Sequence, residues 1–249
     1  YTDALTGSTS VTLTASDTNW SVAAATLDTA LAAAVRLNGD LTVTDIASDD
    51  EANASTTYSK TATGASNVTL TASDGTWSVA VSALNTDLGN DIKYAGALTV
   101  TGITDEVAAL TDYTTAKTGA TTNTLTADGN WSLAVATLDS ALSAGVRLAG
   151  ALTVTGITSG SETSALTAYT TAKTGATTNT LTADGTWSVA ATALDTALTA
   201  GVRLVGALTV TGIASGNETA ALAAYTDALT GSTSVTLTAS DTNWSVAAA

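Results

Sequence analysis

The chain has 249 residues and a net charge of −15, is 45% hydrophobic, and contains no Pro, Cys, His, Met or Phe. Without Cys it builds neither a disulfide frame nor a thiolate metal site, and without His it offers no imidazole base. The acidic balance argues against nucleic acid and anionic membranes, whose binding rests on Lys and Arg, and the apolar stretches are interrupted too often to span a bilayer.

The first twenty-five residues, "YTDALTGSTSVTLTASDTNWSVAAA", recur letter for letter at 225–249. Trp20, Trp77, Trp131, Trp187 and Trp244 are spaced by 57, 54, 56 and 57 residues. Tyr1, Tyr58, Tyr113, Tyr169 and Tyr225 keep the same rhythm. Four related units follow, at 1–57, 58–112, 113–168 and 169–224, and 225–249 restarts the first. The chain opens on Tyr1, and neither end carries an atypical capping unit. It is therefore expected to be a window on a longer array with a 224-residue period. The alternative is a subunit whose duplicate ends join head to tail. Both expectations lead to a filament.

Within each unit the elements come in a fixed order. Residues 11–15, 68–72, 123–127, 179–183 and 235–239 ("VTLTA" or "NTLTA") alternate apolar residues with Thr, the period of a strand with one buried face. Asp17, Asp74, Asp128, Asp184 and Asp241 follow in a turn. There they are expected to cap the stretch that starts at each Trp. That stretch, "WSVAATALDTALTAGVRL" in the fourth unit, is Ala-rich. Leu194, Leu198 and Val202 fall at i, i+4 and i+8, which predicts one long helix. Arg36, Lys93, Arg147 and Arg203 fall near its end, and Gly39, Gly96, Gly150 and Gly206 are expected to close it. A second strand, "LTVT", occupies 41–44, 98–101, 152–155 and 208–211, with Leu41 and Val43 pointing in and Thr42 and Thr44 out. A shorter helix, closed by Gly175 where the third unit passes into the fourth, joins each unit to the next.

The expected fold is an α/β right-handed repeat solenoid. Strand–helix coils of about 28 residues, two per 56-residue unit, would stack their strands into one parallel sheet. At roughly 4.8 Å per strand, eight coils would advance roughly 40 Å. An all-β solenoid is the alternative, should the "WSVAA" stretch be strand. The cadence "SVAATALDTAL…GALTVTGI" resembles the Ala/Thr/Asp-rich tandem repeats of giant bacterial cell-surface and secreted fibre proteins. That resemblance implies a repetitive extracellular or cell-surface structure.

Candidate functional residues are few. Asp17, Asn19, Asp74, Asp128, Asn130, Asp184 and Asp241 offer turn oxygens that calcium between units or neighbouring chains could use. Each segment supplies two or three of the six to eight oxygens that calcium takes, so a turn is the simpler reading. The Thr pairs of the strands would form ranks suited to an adhesin, ice-binding or glycan-binding face, or simply to a solvated sheet. The Trp and Tyr columns read as structural anchors, with each indole N–H reaching a carbonyl. No Walker or Rossmann glycine loop and no distinctive carboxylate pair occurs, so no catalytic residue and no obligate cofactor is expected. The expected partners are further copies or continuations of the array. The expected role is a non-catalytic building segment.

Overall fold

A computed structural model describes residues 9–241. Two compact units divide the chain: Tyr1–Thr126 with Ala144–Val146, and Ala127–Ser143 with Arg147–Ala249. The first contains β1 (Val11–Ala23), α1 (Ala24–Ala32), β2 (Val35–Ile46), α2 (Glu51–Thr57), α3 (Lys60–Thr63), β3 (Asn67–Ala80), α4 (Val81–Gly89), β4 (Ile92–Ile103), α5 (Glu106–Asp112) and α6 (Thr115–Thr118). The boundary runs through β5 (Thr122–Ala127) and β7 (Val146–Ala149). The second contains β6 (Trp131–Ala134), α7 (Val135–Ser143), β8 (Ala151–Ile157), α8 (Glu162–Ala168), α9 (Thr171–Thr174), β9 (Thr178–Ala183) and β10 (Trp187–Ala190). It ends with α10 (Ala191–Thr199), β11 (Val202–Val205), β12 (Ala207–Ile213), α11 (Glu218–Ala224), α12 (Asp227–Thr230) and β13 (Ser234–Ala239).

The architecture is mixed α/β, with parallel strands alternating with helices. The strands form three sheets, in the orders β1-β2-β3-β4-β5-β7, β6-β8-β9-β11 and β10-β12-β13, and not one eight-stranded stack. Their core is a layer of Leu, Val and Ile. Leu41, Val43 and Ile46 are buried, while Thr42 and Thr44 between them are half-buried. Each nine-residue helix contributes one fully buried leucine to this layer: Leu27, Leu84, Leu138 and Leu194.

The long helix expected from Trp to the following Leu is three elements. "WSVA" is strand, "ATALDTALT" is helix, and "VRLV" is strand again. The physical reason lies in local burial. Trp187 and Val189 are buried while Ser188 and Ala190 are exposed, a period of two that suits an aromatic and a β-branched residue. On α10 the buried face is Leu194 with Ala197, and Leu198 is only half-buried. Val202 continued the four-residue period by coincidence, because it belongs to the next strand. The helix between the strands keeps the chain mixed α/β, so the all-β alternative does not hold.

Two expected signals therefore move. The Asp turns do not cap helices, whose N-cap positions Ala23, Ala80 and Ala190 carry no side-chain cap. Asp17, Asp74, Asp128 and Asp184 sit between the two halves of the first strand of their repeats. Likewise Gly39, Gly96, Gly150 and Gly206 do not end a helix. They kink the second strand, with φ between +102° and +122°. The helix stops about five residues earlier, at left-handed Ala34, Asp91, Gly145 and Gly201. Arg147 and Arg203 lie in strands, yet Nη1 of each donates to a last-turn carbonyl, of Leu142 (3.3 Å) and Leu198 (3.2 Å). The cation thus reaches the negative end of the helix dipole from outside the helix.

Register is what joins one repeat to the next. Val68 on β3 faces Leu41 on one side and Ile92 on the other. In the second compact unit Asn179 on β9 faces Leu152 and Val202. Each first strand therefore begins beside the second half of the preceding strand, six residues further along than the previous first strand did. At about 3.3 Å per residue this slide is about 20 Å along the strands for every two strands across. An advance of one strand spacing per coil does not describe it.

The slide leaves the first half of each second strand with an open edge, which the chain closes itself. Ser66 N donates to Gly39 O (2.8 Å), Thr177 N to Gly150 O (2.8 Å) and Thr233 N to Gly206 O (2.9 Å). The short helices α3, α9 and α12 end at left-handed Gly64, Gly175 and Gly231 beside that edge. A Cβ on Gly175 would lie 3.2 Å from the Leu148 carbonyl oxygen. Covered edges do not recruit stray strands.

Candidate functional site

Three sets of side chains recur and hold the repeats in place. The first is the Trp column. Trp77, Trp131 and Trp187 are buried and Trp20 is half-buried. Each indole Nε1–H donates to a backbone carbonyl eighteen residues ahead: Asn38 (3.1 Å), Ala95 (3.0 Å), Ala149 (3.0 Å) and Val205 (2.9 Å). Each acceptor immediately precedes the kinking glycine, where the ladder is interrupted and that carbonyl needs another partner. Trp77 also meets Tyr94 edge to face at 4.9 Å. Trp244 lies outside the described residues.

The second set joins the two kinds of helix. Tyr113, Tyr169 and Tyr225 each follow a short helix and donate their hydroxyl to the long helix of the preceding repeat. The acceptors are Asn85 Oδ1 (2.7 Å), Asp139 Oδ1 (2.8 Å) and Asp195 Oδ1 (2.7 Å). Tyr58 has Asp28 as its counterpart. Burial, then the carboxylate bond, pushes the Tyr58 and Tyr225 hydroxyls up to about 12, and Tyr169 is raised in the same way. The folded state therefore favours the protonated phenol. Its contribution is complete below pH 10 and is lost as pH rises from about 10 through about 12. Alkaline titration followed by tyrosinate absorbance and circular dichroism is expected to show unfolding in that window. Asp195→Asn, which copies the Asn85 pairing, is expected to let Tyr225 ionise at lower pH. Six tyrosines titrating together near pH 10 in a still-folded chain would contradict it.

The third set was not singled out in the sequence. Asn123 and Asn179 are completely buried where other repeats have Val. Nδ2 of Asn123 donates to Tyr113 O and to Thr118 Oγ1 (3.0 Å), and Thr118 Oγ1 donates back to Oδ1 (3.1 Å). Asn179 repeats this with Tyr169 and Thr174. A fully satisfied buried amide fixes the strand start against the helix end. The change from "VTLTA" to "NTLTA" was the available signal. For the Tyr partners it was the constant thirty residues between Asp139 and Tyr169 and between Asp195 and Tyr225.

The acidic turns are organised by their own backbone. Asp17 Oδ1 accepts from Asn19 N (3.1 Å), and Asn19 Nδ2 donates back to Asp17 O (3.0 Å). Asp74 Oδ1 accepts from Thr76 N (2.9 Å), and the Thr76 hydrogen bonds hold its carboxyl below the usual range. Asp128, Asn130 and Asp184 are exposed, and the Asp184 N–H donates to Ile157 O (3.0 Å). Asp241 is exposed. Among the described residues no three Asp, Glu, His or Cys side chains come close enough together to hold a metal ion.

The Thr ranks are short. Ser132, Thr153 and Thr180 stand side by side, and Arg203 follows in the same row. Ser188, Thr209 and Thr236 repeat the pattern. Each row is thus two threonines wide, bounded by a serine and, in the four-stranded sheet, by an arginine. Among the described residues no helix is long and apolar enough to cross a membrane. No family model, curated protein or solved structure matches the chain.

Proposed function

We propose that the chain is a non-catalytic building segment of a long extracellular filament or giant surface protein, its repeats stacked as a right-handed solenoid. One observation carries the reading. Each repeat presents the second half of its last strand, and the next repeat's first strand completes it, as Leu41–Val68 and Leu208–Val235 do. A unit finished only by its successor is a unit for propagation. Right-handed crossovers are the rule for consecutive parallel strands, which gives the hand. The recurring side chains hold strands and helices to one another, as the Trp187–Val205 and Tyr169–Asp139 hydrogen bonds do. The net charge of −15 would keep such filaments apart in solution. A chain without Cys or Met presents neither residue to oxidants, which suits an exposed, long-lived material.

The test is covalent. One, two and three tandem copies of residues 1–224 are compared by small-angle scattering and far-ultraviolet circular dichroism. The expected outcome is an unchanged signal per residue and a maximum dimension that grows by a constant step per copy. Flexibly jointed, independent copies would sink the proposal.

A further inference from the structure

Among the described residues, Asn19, Asn53, Asn67, Asn130 and Asn217 each head an Asn-X-Ser/Thr triplet in which X is not Pro. This triplet is the acceptor for N-linked glycan, and it belongs on surface turns. The fold separates the candidates. The Asn19 amide donates to Asp17 O (3.0 Å), and the Asn67 amide to Asp40 Oδ1 (2.8 Å). Asn53 lies inside α2, where the residue two further on turns to another side of the helix. Asn217 runs straight into α11. Asn130 differs from all of these. Asp128, Gly129 and Asn130 are exposed, and a Cβ on Gly129 would meet no atom within 4 Å. Neither the Asp128 carboxylate nor the Asn130 amide is hydrogen-bonded to another described residue. The turn is one residue shorter than those before Trp20 and Trp77, whose Asp oxygens are tied to their own backbone. After it the chain enters β6, where Trp131 is buried and Ser132 faces solvent, as Asn130 does. β6 is a four-residue strand at the edge of its sheet, a segment that opens locally at little cost.

We infer that Asn130 is an N-glycan acceptor, modified by an oligosaccharyltransferase from an oligosaccharide carried on a polyisoprenyl pyrophosphate. Asn130 Nδ2 bonds to the anomeric carbon of the sugar while the bond from that carbon to the pyrophosphate oxygen breaks. The lipid leaves as its pyrophosphate, and one amide proton passes to a base of the transferase. The Ser132 hydroxyl holds the triplet in the enzyme's groove, and Asp128, two residues before the acceptor, offers a carboxylate to a cationic pocket there. On a chain of net charge −15, a glycan on this outward turn adds a bulky hydrated cover and leaves the Leu and Val layer untouched. The inference rests on the extracellular reading for the chain's encounter with the transferase.

The fourth repeat supplies the test. Its turn, Asp184-Gly185-Thr186, has the same length, leads into Trp187-Ser188 and has open space at Gly185, but carries Thr where Asn130 stands. The folded full chain is incubated with a bacterial oligosaccharyltransferase and its lipid-linked oligosaccharide, beside an acceptor peptide that verifies the enzyme. Occupancy is read by peptide mapping in a mass spectrometer. The expected result is glycan on Asn130, lost in Ser132→Ala and kept in Ser132→Thr. Thr186→Asn is expected to gain glycan at that position, whereas Thr76→Asn, in the longer and tied turn, gains several-fold less. Circular dichroism checks that each variant is folded. An unmodified Asn130 would overturn the inference, as would equal occupancy at Asn67 and Asn217, or a Thr186→Asn chain that gains nothing there. The tandem-copy scattering uses unglycosylated chains, so the acceptor site and the filament reading fail separately.

Discussion

Trp187→Ala is expected to cost about 3–5 kcal/mol, the range for truncating a fully buried aromatic side chain. Trp187 has no exposed surface, and its Nε1–H serves the Val205 carbonyl at 2.9 Å. Truncation therefore opens a cavity and strands a carbonyl beside the Gly206 kink. Trp187→Phe restores most of the volume but not the donor, so its loss is expected to be smaller, with the part owed to the carbonyl about 1–3 kcal/mol. Because the chain forms two compact units, a single global midpoint mixes both. Native-state hydrogen exchange reads the local effect. Protection is expected to fall most in β10 and β12 and least in β1 and β2. A loss under about 1 kcal/mol would mean that the column is ornament and not anchor.

Gly96→Ala is expected to be far more damaging than Gly206→Ala, although the two glycines are counterparts. Both have left-handed backbones, with φ of +105° and +108°, so each alanine is strained by about 1–3 kcal/mol. The difference is space. A Cβ on Gly96 would lie 2.3 Å from the Gly75 carbonyl oxygen, whereas the nearest atom to a Cβ on Gly206 is the Gly185 oxygen at 4.0 Å. The obstacle at Gly96 is backbone and cannot rotate away. Relief requires the turn at 73–76 to open, which adds about 1–3 kcal/mol of overpacking. Gly39, where the Thr18 oxygen would be at 2.2 Å, is expected to behave like Gly96. Gly150 has no atom within 4 Å and is expected to behave like Gly206. Native-state hydrogen exchange around each glycine measures the gap unit by unit, and equal losses of protection would refute it.

That gap was present in the sequence as a single residue. From Val68 to Trp77 the first strand runs nine residues, and from Asn179 to Trp187 it runs eight. The longer turn folds back onto the glycine and the shorter one does not. The Leu–Thr alternation of the "LTVT" stretches was readable because a half-buried strand has no other periodicity, and the parallel sheets follow from it. "WSVA" was misread because four residues carry too little pattern to compete with the Ala-rich run behind them. Burial, not propensity, decided the matter at Trp187 and Val189. The kinking glycines were misread for a related reason. A glycine after an apolar run marks a left-handed residue, but it does not say whether a helix or a strand is being turned. The six-residue slide was not legible at all, since register belongs to pairs of strands and no single stretch encodes it. Asn123 and Asn179 were passed over because a Val-to-Asn change looks like drift until the Tyr carbonyl it satisfies is seen.

The slide between repeats bears on strength. Successive repeats overlap along the strand direction over several residue pairs, from Asp40–Asn67 to Val43–Leu70 in one case. A pull along the strands would load those ladder bonds in shear, so that they must give way together. A pull across the strands would peel them one after another. The overlap between repeats is therefore strong against the first load and weak against the second. The indole pins at each kink would resist the first motion and do little against the second.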